Sequence, residues 1–237
     1  MNKDELCCMR CNHELCASRV QIFSELNQEE LSKVVSLIVR KHYSKGELII
    51  LEGSSLDNLI IIKKGQVKVF RYNQEGKEQI LYVFSEGDFF GEKNLLKNQE
   101  ANFNVEALED TNICLIKKND FQELLKKFPD ISLKILEELS NRLEKLESTI
   151  EKMGTRNVEA RVNAVLLEFA AKYGKDDARG ILIELPLSRE GIANYIGLTR
   201  ETVSRKMSLL MDEGTIEMLG YKKIIIKNIE ALKKTIE

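Results

Sequence analysis

Four of the five cysteines, Cys7, Cys8, Cys11 and Cys16, fall within ten residues, and the fifth, Cys114, stands alone far downstream. Clustered thiolates hold soft metals or carry redox chemistry. The count is odd, and the N-terminus opens Met1-Asn2-Lys3-Asp4-Glu5 with no apolar stretch behind it. Both features point to a reducing cytosol, away from a disulfide scaffold or a secretory signal. Spacing alone leaves two chemistries open. Cys8, Cys11, His13 and Cys16 could hold zinc, with Cys114 uninvolved. The same thiols could sense redox state without metal. Cys114 lies in Asn112-Ile113-Cys114-Leu115-Ile116, where a strand cysteine also serves as a small buried hydrophobe. His13 by itself reads as a solvated turn residue.

A second set of chemical groups lies in Leu187-Ser188-Arg189-Glu190-Gly191-Ile192-Ala193-Asn194-Tyr195-Ile196-Gly197-Leu198-Thr199-Arg200-Glu201-Thr202-Val203-Ser204-Arg205. Ser188, just after Pro186, and Thr199 are suited to cap two successive helices. Ala193 is small where the helices must cross, and Gly197 supplies the positive φ of the turn. Val203, with Leu209 and Leu210, is expected to face inward. Arg200, Glu201, Ser204 and Arg205 then form the outward face. An Arg can grip guanine O6 and N7 while Glu accepts from cytosine N4, so this face can read bases. The bland alternative is an i,i+4 salt bridge between Glu201 and Arg205. Ser188, Arg189, Thr199 and Lys206 are placed for phosphates. Thr215–Leu219 and Lys223–Lys227 flank Gly220-Tyr221 as a hairpin wing, with Lys222 and Lys223 available to the DNA backbone.

These groups need a scaffold. Glycines at 46, 53, 65, 76, 87 and 91 punctuate short β-rich runs at Glu47–Leu51, Asn58–Lys63, Gln66–Tyr72, Glu78–Ser85, Phe103–Ala107 and Thr111–Lys117. Such spacing describes a sandwich or roll. Leu31, Val34, Val35 and Ile38 predict a helix over Asn27–Val39 before it. After Pro129, Ile131, Ile135, Leu139, Leu143, Leu146, Ile150 and Met153 predict one long helix, ended by Gly154, with charged flanks. The narrow seam from Ile135 to Met153 predicts pairing with a second copy. Residues 155–237 hold 14 Lys and Arg against 12 Asp and Glu, a net of +2, while the first 154 carry a net of −4. The sign suits a C-terminal nucleic-acid binder.

Over nearly its whole length the sequence resembles the CRP/FNR family of bacterial transcription regulators. The resemblance rests on Lys45-Gly46-Glu47, Ile61-Ile62-Lys63-Lys64-Gly65-Gln66-Val67-Lys68, Gly87-Asp88-Phe89-Phe90-Gly91-Glu92 and, most specifically, Ile192 to Arg205 of the motif above. It implies an α+β chain: an N-terminal cyclic-nucleotide-binding-like β-roll, a long dimerisation helix and a C-terminal winged helix-turn-helix. The expected divisions are a cysteine-rich arm at 1–22, a sensor roll at 23–128, a dimer helix at 129–154 and a DNA-binding domain at 155–237. Glu201, Ser204 and Arg205 match base-reading positions of the FNR branch, and Arg200 matches one of the cyclic-AMP branch. Gly91-Glu92 matches the cyclic-nucleotide site. The stretch that should hold the phosphate, Glu100-Ala101-Asn102-Phe103-Asn104-Val105, has no Arg. Cyclic AMP is therefore not expected, and Glu92 reads as a retained structural turn.

FNR-like proteins bind a 4Fe-4S cluster through three N-terminal cysteines and one in the roll. Cys8, Cys11 and Cys16 resemble that N-terminal trio, with one residue fewer before Cys16 than the commonest pattern, Cys7 is a rival third ligand, and Cys114 falls at the position of the fourth. The resemblance thus implies an oxygen- or redox-labile cluster. Zinc, thiol redox, haem or another small effector in the roll are the alternatives. His42 reads as a roll-surface histidine, with haem ligation the alternative that gas-sensing members imply. Expected partners are palindromic double-stranded DNA, a second copy and, for an activator, RNA polymerase. The expected compartment is the cytoplasm.

The rest of the sequence excludes other classes. In 237 residues, 43% are hydrophobic and 31% charged, which describes an ordinary folded chain. No apolar run approaches the roughly 18–20 residues of a membrane span. No phosphate-binding glycine loop, nucleophile elbow or His–carboxylate zinc motif argues for an enzyme.

Overall fold

The computed structural model describes residues 20–23, 26–92, 99–155 and 158–235. In chain order a short 3-10 turn (Gln21–Phe23) leads to α1 (Gln28–Ser36), then strands β1 (Val39–Tyr43), β2 (Leu48–Ile50), β3 (Asn58–Lys64), β4 (Val67–Tyr72), β5 (Glu78–Phe84), β6 (Phe89–Phe90), β7 (Asn104–Ala107) and β8 (Thr111–Lys117). Helices α2 (Lys118–Lys127), α3 (Pro129–Thr155) and α4 (Val158–Tyr173) follow. Then come β9 (Lys175–Asp177), β10 (Gly180–Glu184), α5 (Arg189–Ile196), α6 (Arg200–Asp212), β11 (Ile216–Met218), β12 (Lys223–Ile226) and α7 (Ile229–Lys234). Two compact units result, one of residues up to 71 with 82–146, the other of 72–81 with 147–237.

The first unit is a roll of two four-stranded sheets, ordered β1-β8-β3-β6 and β2-β7-β4-β5. The central strands β3 and β8 are apolar almost throughout, because both faces of their sheet are covered. Leu59, Ile61, Cys114 and Ile116 point to one side, into a core with Leu31 and Val34 of α1, Phe121 and Leu124 of α2, and Ile131 and Ile135 of α3. Ile60, Ile62, Ile113 and Leu115 point to the other, into a core shared with Ile50, Val67, Val69 and Val105 of the second sheet. Successive residues of one strand thus serve two cores.

Helix α1 opens on a capping box: Asn27 Oδ1 accepts from Glu30 N at 3.0 Å, and Glu30 Oε2 accepts from Asn27 N at 2.9 Å. It stops at Ser36, not Val39. Val39–Tyr43 instead form β1, paired antiparallel with β8 from Val39 opposite Leu115 to Tyr43 opposite Thr111. The ladder to a strand some seventy residues away decides against the helical period of the local sequence.

In the second unit the sheet order is β11-β12-β10-β9. Ser188 caps α5, accepting from Gly191 N at 3.1 Å, and Thr199 caps α6, accepting from Thr202 N at 3.2 Å. Between them Gly197 closes α5 in the left-handed region, at φ 68°. Ile192, Ala193, Val203, Met207 and Leu210 are buried. Leu209, expected inside, is exposed, and Met207 takes the inward position four residues after Val203. A Cβ at Gly197 would meet nothing within 4 Å, so only the backbone conformation opposes a side chain there. Gly197→Ala is accordingly expected to cost about 1 kcal/mol in thermal or denaturant unfolding of the C-terminal unit, the left-handed penalty alone.

Candidate nucleic-acid interface and sensor residues

Helix α6 divides cleanly. Its inner face carries Val203, Met207 and Leu210, and its outer face carries Arg200, Glu201 and Arg205, all exposed, beside half-buried Ser204. Among the described residues none pairs with Arg200, Glu201 or Arg205. The Glu201–Arg205 bridge that the spacing allows is not made, so both groups keep their hydrogen-bonding capacity for a base edge. The two capping hydroxyls, on Ser188 and Thr199, are exposed at the helix N-termini, where backbone N–H groups and the macrodipole favour phosphate. Arg189, half-buried, stands beside Ser188.

Lys206 is a correction. The sequence places it on a phosphate, yet it is only 8% exposed and its Nζ lies 2.6 Å from Glu159 Oε1. It falls three residues after Val203 and four before Leu210, on the inner face. The wing is formed by β11 and β12, closed by Leu219 N donating to Lys223 O at 2.7 Å, with Gly220 at φ 113°. Lys223 makes a loose exposed contact with Glu184 at 3.8 Å. Lys222 is half-buried. Tyr221, which the sequence places at the turn of the wing without assigning it a role, is 99% exposed at the tip.

On the sensor side, Cys114 is 6% exposed and sits on β8 opposite Arg40 of β1 and Ile61 of β3. Its core also takes Val20, Ile22 and Phe23, which follow Cys16 closely in the chain. Cys7, Cys8, Cys11, His13 and Cys16 lie outside the described residues. No group of three or more His, Cys, Asp or Glu suited to a metal occurs among the described residues. His42 is exposed on β1, its Nδ1 3.0 Å from Asn112 Oδ1.

Glu92 does more than shape a turn. It is 2% exposed and binds Arg142 of α3 through Oε1 at 2.9 Å. The same guanidinium donates to Phe89 O at 2.7 Å and lies over the rings of Phe84 and Phe89. Glu92 Oε2 is buried, without a hydrogen-bond partner among the described residues. The carboxylate matched to a cyclic-nucleotide site therefore anchors the long helix to the roll. Beside the stretch 100–105, Arg71 of β4 donates its Nε–H to Asn102 O, and Asn104 Oδ1 accepts from Glu52 N at 3.0 Å.

The long helix presents two apolar faces. Ile131 and Ile135 are buried, and Leu139 is half-buried, against their own roll. Ile135 is thus not a seam residue. Leu133, Leu136, Leu143 and Leu146 are exposed. Leu136 and Leu143 form one row and Leu139 and Leu146 the next, the 3,4 spacing of a coiled-coil seam. Ile150 and Met153 continue both rows in sequence, but their side chains lie outside the described residues.

The family model for the cyclic nucleotide-binding domain matches residues 40–128, and that for the Crp-like helix-turn-helix domain matches residues 160–235. The chain is 32% identical to the probable transcriptional regulator flp of Lacticaseibacillus casei over 218 residues, 92% of this chain and 96% of that protein. It is 28% identical to the anaerobic regulatory protein of Pasteurella multocida over 227 residues, 95% of this chain and 82% of that protein. The solved structure of a CRP/FNR-family transcriptional regulator from Thermus thermophilus matches with a TM-score of 0.67 at 26% identity, covering 84% of this chain and 98% of that one. Among the described residues no helix is long and apolar enough to cross a membrane. A capped helix pair with unpaired groups on its outer face, in one chain with a roll matched by the same relatives, makes the protein a member of the CRP/FNR family of DNA-binding transcription regulators, which are not enzymes.

Proposed function

We propose that the chain is a homodimeric regulator of palindromic DNA that responds to redox state or oxygen through an iron–sulfur site of Cys8, Cys11, Cys16 and Cys114. The observation that carries the sensor reading is the position of Cys114. It is buried in the core that also receives Val20, Ile22 and Phe23. Cys16 comes four positions before Val20, a reach of at most about 14 Å, so the arm's last thiol is tethered to that core. Four thiolates match the donor set of a cubane cluster, and three alone would leave one iron unliganded. When bound, such a cluster would supply a group that oxidants dismantle. The chain's own part is to tie the arm to the roll through Cys114 and the roll to α3 through Glu92 and Arg142. Cyclic AMP is not the effector in this reading: the stretch 100–105 offers no Arg for a cyclic phosphate, and Glu92 is engaged by Arg142. The relative named as an anaerobic regulatory protein supports the same reading.

On the DNA side, Arg200, Glu201, Ser204 and Arg205 read bases, and Ser188, Arg189, Thr199, Lys222 and Lys223 hold phosphates, with Tyr221 beside the backbone at the wing tip. Leu136, Leu139, Leu143 and Leu146 pair the two copies, and an activator would meet RNA polymerase from this dimer. Half-sites should lie about one helical turn apart, because the recognition helices of a dimer enter successive major grooves. The test is binding to a palindrome selected from random duplexes. Arg205→Ala should cost about 1–3 kcal/mol at that palindrome and relax base preference at one position. Lys222→Ala should weaken all sequences alike and lower the slope of log K against log salt by about 0.9. Equal loss of specific and non-specific affinity for Arg205→Ala would remove its base-reading role.

A further inference from the structure

Lys206 stands where the recognition helix should be apolar. Its neighbours on the inner face, Val203, Met207 and Leu210, are all buried, and its own side chain is 8% exposed. An ammonium is costly to bury unless a charge partner meets it. That partner is Glu159, 2.6 Å away in the first turn of α4, where the helix macrodipole favours a carboxylate. Apolar contacts between two helices have no direction and permit sliding. A short charge-assisted hydrogen bond has direction and fixes one register. Glu159 is also the second residue of α4, close in the chain to the end of α3 at Thr155.

We propose that Lys206 is a positioning residue for DNA reading, acting through Glu159. The bridge fixes α6 against the start of α4, so that Arg200, Glu201, Ser204 and Arg205 reach their base edges together. This rests on the base-reading assignment above. Lys206 itself touches no phosphate, and the first turn of α4 sets the pitch of the recognition helix.

The experiment uses the full-length protein purified anaerobically, a palindromic duplex selected by the parent from random sequence, and a scrambled duplex of equal length. Lys206→Met and Glu159→Gln should each lower affinity for the palindrome about tenfold, the size of one misplaced base contact, with scrambled-duplex affinity and the salt slope unchanged. The double variant Lys206→Met/Glu159→Gln removes both charges and should melt close to the parent, because an apolar side chain replaces the buried ammonium and the half-exposed Glu159 position keeps a neutral polar group. It should still show the tenfold loss of preference, which a purely structural bridge would not give. If the double variant keeps the parent's preference, the proposal is overturned. It is equally overturned if Lys206→Met lowers the salt slope by about 0.9 and weakens both duplexes alike, the signature of a phosphate contact. Arg205→Ala in the same assay separates the two claims: full preference in that variant sinks the base-reading assignment, whatever Lys206 does.

Discussion

Leu143→Glu is expected to abolish the pairing of copies proposed above, visible as halved mass in sedimentation, while the protomer stays folded. Leu143 is 56% exposed within the protomer, so its substitution leaves the roll's own core untouched. In a pair of copies it would be buried with Leu136, Leu139 and Leu146, each such leucine contributing roughly 1.5–3 kcal/mol. A glutamate there would bring an uncompensated charge into the seam from each copy, at about 3–5 kcal/mol. Dimer affinity should therefore fall at least about a hundredfold, as should affinity for a palindrome, because a monomer holds one half-site and loses the avidity of the second. Leu133→Glu is the control. Leu133 is similarly exposed but flanks the seam instead of lying in it, so its variant should remain dimeric. If the Leu143 variant and the parent sediment alike, the seam lies elsewhere.

The seam also shows what the sequence could and could not disclose. The series Ile131, Ile135, Leu139, Leu143 advances by four residues at a time, and each step of four turns about 40° around the helix. Over three steps the series rotates by about 120°. One apparent stripe is therefore two: Ile131 and Ile135 belong to the roll's core, and the outward face begins with Leu136. A one-dimensional pattern of apolar residues does not say which neighbour each one meets. The change from steps of four to alternating three and four near Leu143 is the readable sign of the switch.

Elsewhere the local signals are strong. The roll's punctuating glycines have positive φ, and the strands between them fall within a residue or two of the predicted runs, since turn chemistry and β-branched runs act locally. The helix-turn-helix is legible for the same reason: Ser188, Gly197 and Thr199 each act on backbone a few residues away. What failed depended on distant partners. Charged Arg40-Lys41-His42 gave no hint of a strand because β1 is an exposed edge held by β8, and charges suit such an edge. Lys206 looked outward because it is charged, and only Glu159, 47 positions earlier in the chain, explains its burial. Glu92 looked idle because Arg142 approaches it from another element.

Replacing one sulfur by oxygen at Cys114 should decide the sensor. After anaerobic reconstitution with ferrous iron and sulfide, the parent should hold about four of each per protomer and be brown, bleaching in air. Cys114→Ser should retain little iron, because three thiolates cannot complete the site and a serine hydroxyl is a poor ligand for it. The substitution is close to isosteric at a position 6% exposed, so the loss reports ligation and not collapse. Melting should drop modestly, about 1–3 kcal/mol for a hydroxyl placed in an apolar core. Cys7→Ser should keep its iron if Cys8 is the ligand, and His13→Ala should keep it in any case. Zinc held by the arm alone predicts a different pattern: a colourless metal, lost with Cys8, Cys11 or Cys16 and indifferent to Cys114. Equal, low iron in parent and Cys114→Ser would discard the cluster. DNA affinity measured on the same samples carries the argument to function. If the proposed cluster ties the arm to the roll at Cys114, with Glu92–Arg142 tying the roll to α3, loss of iron should change palindrome affinity in the parent and leave Cys114→Ser unresponsive to air.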